Sequence, residues 1–548
     1  MPSTARSRPS AGREPARAPT DASTVSPDVH GFGGMVVSPH VLATQAAMDM
    51  LSKGGTAADA AIAANAVQGV VAPETCGIGG DLFALVWVPG TGRPEALDAA
   101  GTAGSNADPD ELRREGLTEI PSRHPASITI PGCVAGWAAL HLRHGRLPLE
   151  DLLQPAIRLA REGFPASNEL VRATVASEDT IRTRAGGAGI LPGGRPAHPG
   201  ERVVRHNLAG TLSEVAQRGA AAFYQGRVAE AISRAVDGRI TTADLSGYAP
   251  EWVEPAALEV FGLTGWTMPP PSQGYLILAT LAAYERLTDG TVPDESDRAH
   301  LLIEAYRAFA WERNEVLADP RHTGRSWQQL LDPSLLAERA DRIDPERAGA
   351  WPPPGPGQGG TAYMCAVDSA GMGVSLMQSN FRGLGSGIGA GDTGLILHNR
   401  GEGFDLRPGH PNELAPGKRP LHTLSPSLWT GRGRLAAMLG TRGGHQQPQF
   451  VAQMASLVFG QGLSPAAAQR TGRWKMSEFG PGVPPSVLVE PTVSTSVVES
   501  LERRGHRIEV AGPPAGSYGP VSMITIDADG LRTGAADPRV DTSAAAAH

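Results

Sequence analysis

The chain has 548 residues, of which 41% are hydrophobic, and its formal net charge is −8. This composition supplies enough apolar side chains for a large core, and no change in composition marks a boundary between separate domains. The charges form no long run of one sign, which argues against nucleic acid or a membrane surface as a partner. The three cysteines have neither the spacing of metal ligands nor that of a disulfide framework, so no metal is expected.

Both ends of the chain are predicted to lie outside the core. Residues 1–31 are rich in Pro, Ala, Arg and Ser and lack the apolar segment of a signal peptide, so they are predicted to form a disordered arm. No stretch reaches the roughly 18 apolar residues of a membrane span. We therefore expect a cytoplasmic protein with no membrane partner, and we expect residues 543–548 to be frayed.

The hydrophobic pattern predicts helices packed on a central sheet. Small apolar residues at helical spacing over 41–70 predict helical structure, and the apolar run 82–87 predicts a core strand. Further helical patterns occupy 148–163, 207–217, 226–236 and 297–317. A hairpin follows, with strands at 361–368 and 373–379 joined by a turn at 369–371. Such a hairpin at the centre of a sheet would hold Thr361 rigidly.

The most informative motif lies where a Pro- and Gly-rich segment, 351–360, ends at Thr361. A threonine hydroxyl is a weak nucleophile without a neighbouring base, but an N-terminal threonine carries its own, since a free α-amine has a pKa of about 7.7–8.0. The flexible Gly359 and Gly360 allow the Thr361 hydroxyl to reach the Gly360 carbonyl. We therefore predict self-cleavage between Gly360 and Thr361. Taken alone, such a pattern more commonly marks an ordinary loop.

Several motifs occur in an order that resembles the γ-glutamyltransferase family of N-terminal-nucleophile hydrolases. They are the strand 361–368, Gln378-Ser379-Asn380-Phe381, the block 394–400, Pro416-Gly417-Lys418-Arg419-Pro420 and Gly440-Thr441-Arg442-Gly443-Gly444, with upstream blocks at 33–38, 53–61, 77–81, 130–137 and 269–274. The resemblance covers about residues 32–540 and implies an α+β fold, a four-layer αββα sandwich. It also implies a precursor cut into a large subunit, 32–360, and a small catalytic subunit, 361–548. These would stay together as a heterodimer, and further dimerisation is left open.

The resemblance implies a role for each candidate site residue. Thr361 is the nucleophile, its α-amine moves the proton, and the backbone N–H groups of Gly443 and Gly444 hold the oxyanion, so no cofactor is needed. Ser379 matches a hydroxyl that hydrogen-bonds the nucleophile in relatives, with an ordinary strand serine as the alternative. The candidates for substrate contacts are Asn380, Asn399, Arg400, His422 and Thr423. For the two asparagines, a role in the fold alone is the alternative.

Three positions depart from the pattern of the γ-glutamyl-specific members, and one of them is the replacement of the paired serines before the Ser-Pro element by His422-Thr423. In those members an arginine after a Leu-Asp pair holds the substrate α-carboxylate, whereas Leu97-Asp98 is followed here by Ala-Ala-Gly at 99–101. The acidic residue that grips the α-amino group is replaced by Gly403, next to Glu402. Charge-assisted contacts of this kind are strong and geometry-specific, so we expect an acyl group other than a standard γ-glutamyl unit.

The resemblance implies an enzyme that transfers a small-molecule acyl group from Thr361 to water or an amine, and the erased glutamate contacts favour a role in specialised metabolism. Three substrate classes remain open: a γ-glutamyl amide such as glutathione, a side-chain amide as in the cephalosporin-acylase-like members, and the C–C bond that relatives hydrolyse in the alkylproline pathways of lincosamide and pyrrolobenzodiazepine antibiotics. An inactive scaffold of the same fold is the non-enzymatic alternative, and the retained Thr361 and Gly443-Gly444 argue against it.

Overall fold

A computed structural model of the protein describes residues 27–323, 326–352, 359–476, 485–510, 512 and 515–548. Two antiparallel seven-stranded sheets face each other at the centre of this described part. Sheet 1 contains, in spatial order, β19 (Ala544–Ala547), β2 (Met35–Ser38), β10 (Gly360–Val367), β11 (Gly373–Phe381), β3 (Asp81–Trp87), β4 (Glu95–Ala99) and β7 (Glu251–Val253). Sheet 2 contains β1 (Val29–Gly31), β18 (Arg532–Ala535), β17 (Val521–Ile526), β13 (Arg434–Thr441), β12 (Ser427–Gly431), β9 (Leu263–Thr267) and β8 (Ala256–Val260).

The remaining described elements surround these two sheets. The smaller sheets pair β5 (Phe164–Pro165) with β6 (Arg202–Val203), and β14 (Trp474–Met476) with β15 (Val487–Val489) and β16 (Ile508–Val510). The helices are α1 (Val41–Ser52), α2 (Ala57–Val71), α3 (Pro109–Arg114), α4 (Cys133–His144), α5 (Leu149–Glu162), α6 (Asn168–Ala176), α7 (Glu178–Arg184), α8 (His206–Arg218), α9 (Ala221–Tyr224), α10 (Arg227–Ala235), α11 (Thr242–Gly247), α12 (Tyr275–Thr288), α13 (Glu295–Ala310), α14 (Arg313–Val316), α15 (Pro320–Thr323), α16 (Trp327–Leu330), α17 (Pro333–Ala340), α18 (Gln447–Ala455), α19 (Pro465–Arg470) and α20 (Thr495–Arg503). Among the residues that the structure describes, none of the helices combines the length and apolar character needed to cross a bilayer.

The core has three layers of apolar contacts, because successive strand residues point to opposite faces of a sheet. In β10, Tyr363 and Cys365 belong to the cluster between the two sheets, whereas Ala362 and Met364 belong to the cluster between sheet 1 and helices α1, α2, α4, α5 and α8. A third cluster joins sheet 2 to α12, α13 and α18. This is the four-layer αββα sandwich that the resemblance implies.

The predicted hairpin is confirmed, and its turn explains why it forms. The Asp368 carboxylate accepts hydrogen bonds from the N–H groups of Ala370 and Met372, both at 3.0 Å, and Gly371 takes the left-handed conformation with a φ of 88°. The second carboxylate oxygen accepts from the Ala57 N–H at the start of α2, at 3.0 Å. The hairpin that begins at the candidate nucleophile is thereby fixed to the helix layer.

Several predicted boundaries are wrong. The helical pattern over 41–70 divides into two helices, because Gly54 takes a φ of 83° and Thr56 starts α2 with a capping box to Asp59. The pattern over 297–317 likewise divides into α13 and α14. The strand at 82–87 and the helices at 148–163, 207–217 and 226–236 are confirmed within one or two residues as β3, α5, α8 and α10.

The two predicted disordered ends also need correction. The tail is not frayed, since β19 pairs with β2 along its whole length. The arm predicted over 1–31 reaches too far, because β1 (Val29–Gly31) pairs with β18. Residues 1–26 of that arm lie outside the described residues, as do 353–358 of the Pro- and Gly-rich segment. For β1 and for β19, the paired strand lies some 500 positions away in sequence. Local composition gives no sign of such a distant partner.

Candidate active site

Thr361 is buried at the start of β10, with 2% of its surface exposed, and its hydroxyl belongs to a chain of hydrogen bonds. Thr361 Oγ1 donates to Ser379 Oγ at 3.3 Å, and Ser379 Oγ donates to the carbonyl oxygen of Gly360. Gln447 Nε2 donates to Thr361 Oγ1, also at 3.3 Å. One serine thus connects the threonine hydroxyl with the carbonyl of the peptide bond that precedes it.

The pairing of β10 with β11 places Ser379 beside Thr361. Gly360 lies opposite Phe381 and Ala362 lies opposite Gln378, so two residues of β11 face Thr361 at an irregularity in the register. Phe381 has a φ of 71°, which is uncommon for a bulky residue and costs about 1–3 kcal/mol. Its N–H donates to Ser379 Oγ at 2.7 Å. The irregular backbone therefore orients the serine hydroxyl.

Gly443 and Gly444 lie directly against the segment that contains the predicted cleavage site. They follow β13 with φ values of 127° and 56°, in the region that favours glycine, and lead into the first turn of α18. A Cβ added at Gly359 would lie 2.9 Å from the Gly444 Cα, so the two backbones touch. The Gly444 carbonyl accepts from Gln273 Nε2 at 2.8 Å, which fixes the orientation of this peptide.

A cavity of about 430 Å³ opens on one side of these glycines, and its polar residues were not identified from the sequence. Arg442 and Glu169 form a two-point ion pair there, with one N–O distance of 2.8 Å. Glu74 also lines this cavity, and burial raises the pKa of its carboxyl to about 8. Gln447 was missed as well, although a polar run that starts a helix straight after a Gly-Gly pair is a visible signal for it.

A second cavity, of about 420 Å³, contains Arg400. Arg400 Nη1 donates to Thr423 Oγ1 at 3.1 Å, and the guanidinium carbon lies 3.6 Å from the centre of the Phe381 ring. Burial lowers the pKa of Arg400 to about 9, so the group remains charged at neutral pH. Gly403 lies against the same guanidinium, because a Cβ at this position would collide with Nη2. Arg400 therefore fills the space into which a side chain at 403 would point.

The two candidate asparagines bind backbone groups. Asn399 accepts from the Arg382 N–H at 3.0 Å and donates to the Gly385 carbonyl at 3.2 Å, so its amide holds the loop after β11. Asn380 donates to the Pro73 carbonyl at 3.5 Å, and its side-chain oxygen has no hydrogen-bond partner among the described residues. Asn399 is thus engaged at both ends of its amide, whereas Asn380 retains a buried acceptor.

His422 lies in a buried polar cluster around Asp81. Its Nε2 donates to the Asp81 carboxylate at 3.1 Å, its Nδ1 accepts from the Leu424 N–H at 3.2 Å, and its ring packs on Phe83 with 4.6 Å between ring centres. Burial lowers the pKa of His422 to about 4, so the ring is neutral near pH 7. Both ring nitrogens are occupied within the protein, and a substrate contact would have to break one of these bonds.

Comparison with known proteins assigns this arrangement to a family. The protein-family model described as gamma-glutamyltranspeptidase matches residues 43–547 of the sequence. The chain belongs to the γ-glutamyltranspeptidase family. It is 36% identical to the oxamate amidohydrolase proenzyme of Klebsiella pneumoniae over 93% of this chain and 98% of the relative. It is 34% identical to the glutathione hydrolase-like YwrD proenzyme of Bacillus subtilis, over 94% of this chain and 99% of the relative.

A solved structure supports the same assignment. The crystal structure of the cephalosporin acylase from Bacillus halodurans superposes with a TM-score of 0.89 at 32% identity, covering 98% of this chain and 99% of the acylase. The predicted family, the N-terminal-nucleophile hydrolase fold and the enzymatic nature of the chain are confirmed. The protein is a hydrolase or acyltransferase of a family in which several relatives are named as proenzymes.

Proposed function

We propose that the protein cuts itself between Gly360 and Thr361 and then hydrolyses amide bonds of small molecules with Thr361 as the nucleophile. The observation that carries this proposal is the hydrogen-bond chain from the Thr361 hydroxyl through Ser379 to the Gly360 carbonyl. Attack of Oγ1 on that carbonyl transfers the acyl chain from nitrogen to oxygen. The hydroxyl proton ends on the departing nitrogen, which becomes the free α-amine of Thr361. Water then splits the ester, which leaves a carboxylate at Gly360 and restores the Thr361 hydroxyl.

The same groups serve the turnover of substrate. The free α-amine takes the proton of the Thr361 hydroxyl, since an N-terminal amine has a pKa of about 7.7–8.0. Gln447 holds that hydroxyl at 3.3 Å, and its own amide is oriented by the Ser425 N–H at 3.1 Å. The N–H groups of Gly443 and Gly444 hold the oxyanion, which is supported by the contact of Gly444 with Gly359 beside the bond to be cut.

The substrate is proposed to lack the α-amino acid end of a γ-glutamyl group. Gly403 has no carboxylate that could bind a substrate ammonium group, and the Arg400 guanidinium occupies the space of a side chain at 403. Arg419 does not replace the missing arginine at 99–101, because its guanidinium is bound to Glu251 at 2.9 Å and lies 3.7 Å from Asp98. Two relatives are named for oxamate and for cephalosporins. We therefore favour amide hydrolysis over cleavage of a γ-glutamyl bond.

Steady-state hydrolysis by fully processed protein tests this function. Ammonia release from oxamate and its longer homologues is compared with hydrolysis of a γ-glutamyl anilide and of glutathione, with Thr361→Ala as the inactive control. We expect turnover of simple amides to exceed that of both γ-glutamyl substrates. Preference for the γ-glutamyl substrates would instead support a γ-glutamyltransferase or glutathione hydrolase. Turnover of no amide by a processed enzyme would favour the C–C hydrolase alternative.

A further inference from the structure

The cavity that contains Arg400 has charged walls, and most of the charges are already paired. Arg382 binds Glu402 at 2.8 Å, and Glu402 also accepts from Ser122 Oγ at 2.7 Å. At the rim, Arg407 binds Asp405 at 2.8 Å and Glu315 at 2.9 Å. Arg400 differs from these two arginines. Among the described residues no carboxylate forms an ion pair with it, and its Nε and Nη2 have no hydrogen-bond partner.

An arginine in this state is costly for the folded protein. Arg400 is 2% exposed, and burying a charge without a partner is strongly unfavourable. Its Nη1 is held by Thr423 and its plane is held by the Phe381 ring, so Nε and Nη2 are fixed in orientation. Adjacent N–H groups of a guanidinium match the two oxygens of a carboxylate. Such an anion would satisfy the donors that the protein leaves open.

The position of Arg400 relates it to the reacting bond. Phe381, whose ring lies under the guanidinium, pairs through its backbone with Gly360. The same ring approaches His445, which directly follows Gly443-Gly444, with 6.3 Å between ring centres. An anion on Arg400 would therefore belong to the acyl part of a substrate whose carbonyl sits at Thr361.

We infer that Arg400 binds a carboxylate on the acyl group of the substrate, so that the preferred substrates are monoamides of small dicarboxylic acids. This inference deepens the proposed function and rests on it. In the γ-glutamyl-specific members, a carboxylate at the position of Gly403 binds the ammonium group of the substrate. Here the Arg400 guanidinium beside Gly403 would bind an anion of the substrate, so the charge recognised at this position is the opposite one. Arg400 is a binding residue that sets specificity and takes no part in proton transfer.

The test uses substrate pairs of equal shape and different charge. Oxamate, malonamate and succinamate are compared with the neutral diamides oxamide, malonamide and succinamide, by ammonia release from wild type and Arg400→Gln. We expect Arg400→Gln to lower kcat/KM for the preferred monoamide by about 10- to 100-fold, the loss of one or two charge-assisted hydrogen bonds, and to change that for its diamide less than threefold. Equal losses on both members of a pair, or no loss on the monoamide, would overturn the inference.

Two further variants keep the result interpretable. Arg407→Gln removes a positive charge from the rim of the same cavity and should change the monoamide-to-diamide ratio by less than about threefold, since its partners already neutralise it. If Arg400→Gln does not fold, Gly403→Ala replaces it, because the new Cβ collides with Nη2 and should lower the same ratio. An unchanged ratio in a folded Gly403→Ala would contradict the inference.

Calorimetry separates this inference from the proposed function. Oxalate, malonate and succinate are titrated into processed wild type and processed Arg400→Gln. If wild type cleaves no amide but binds one of these anions, and Arg400→Gln does not, then the amidase proposal fails and the anion site stands. If wild type binds none of them and shows no preference for monoamides, the anion site is refuted.

Discussion

Replacing Ser379 with alanine removes the group that connects the nucleophile to the bond it is proposed to cut. Ser379 Oγ donates to the Gly360 carbonyl, where negative charge develops during attack, and it accepts from Thr361 Oγ1 at 3.3 Å. Loss of one donor to a developing oxyanion slows reactions by about 10²–10³-fold. We therefore expect self-cleavage of Ser379→Ala to be slower than that of wild type by that factor.

The same substitution has a structural cost that the experiment must separate. The Phe381 N–H loses its acceptor at 2.7 Å, and a buried unpaired donor costs about 1–3 kcal/mol of stability. Ser375→Ala is a matched control on the same strand, because the Ser375 hydroxyl donates to the Ser427 carbonyl at 3.0 Å and contacts the Tyr363 hydroxyl at 2.9 Å, in the core between the sheets.

The assay follows the uncut and cut chains by mass spectrometry after synthesis, with the melting temperature of each variant recorded in parallel. Ser375→Ala should be destabilised and still cut itself at the wild-type rate. Ser379→Ala should accumulate as a folded precursor. If Ser379→Ala is processed at the wild-type rate, the serine does not polarise the Gly360 carbonyl.

Three further predictions concern the oxyanion site, the substrate and a buried histidine. Gly444→Val should slow turnover by about 10²-fold or more, and wild-type kinetics in a folded variant would show that the oxyanion donors lie elsewhere. For a γ-glutamyl anilide, kcat/KM should be on the order of 10²–10⁴-fold lower than that of a glutathione hydrolase, since two charge-assisted contacts are absent. A kcat/KM within tenfold of that enzyme's would show that another residue supplies the contact. Burial lowers the pKa of His40 from 6.5 to about 4, so the unfolded chain binds a proton in this window and the folded chain does not. As the pH is lowered from 6.5 to about 4, the free energy of unfolding should therefore fall by about 1.4 kcal/mol per pH unit relative to His40→Asn, which keeps an acceptor for the Leu42 N–H. Both proteins are unfolded with urea at several pH values in a Thr361→Ala background. The same pH dependence of the free energy of unfolding in both would contradict this prediction.

Much of the fold follows from local pattern, and the exceptions have long-range causes. The hairpin is visible in the sequence because it carries its own turn residues. Helices α5, α8 and α10 are visible because their buried apolar residues recur at helical spacing. The break between α1 and α2 was also readable in principle, since Gly54-Gly55 precedes a capping threonine. The pairing of β19 with β2 was not, because an alanine tract acquires strand character only from its distant partner.

In the candidate site, too, some residues could be predicted from the sequence and others could not. Thr361, Ser379 and the Gly443-Gly444 pair could be picked out because their motifs are contiguous, and the structure brings all of them together. The surroundings of Arg400 could not be read from the sequence. The missing side chain at 403 and the arginine three residues before it each look like an isolated change, and only the fold shows that one fills the space of the other.

Intact-mass spectrometry of the purified wild type, with N-terminal sequencing of the smaller product, shows whether Thr361 becomes a new N-terminus. We expect two chains, one ending at Gly360 and one beginning at Thr361, together with a single uncut chain for Thr361→Ala and a cut chain for Thr361→Ser, which keeps the hydroxyl. A wild-type protein that hydrolyses its substrate while remaining one chain, or a cut at any other bond, would contradict the assignment of Thr361 as the nucleophile.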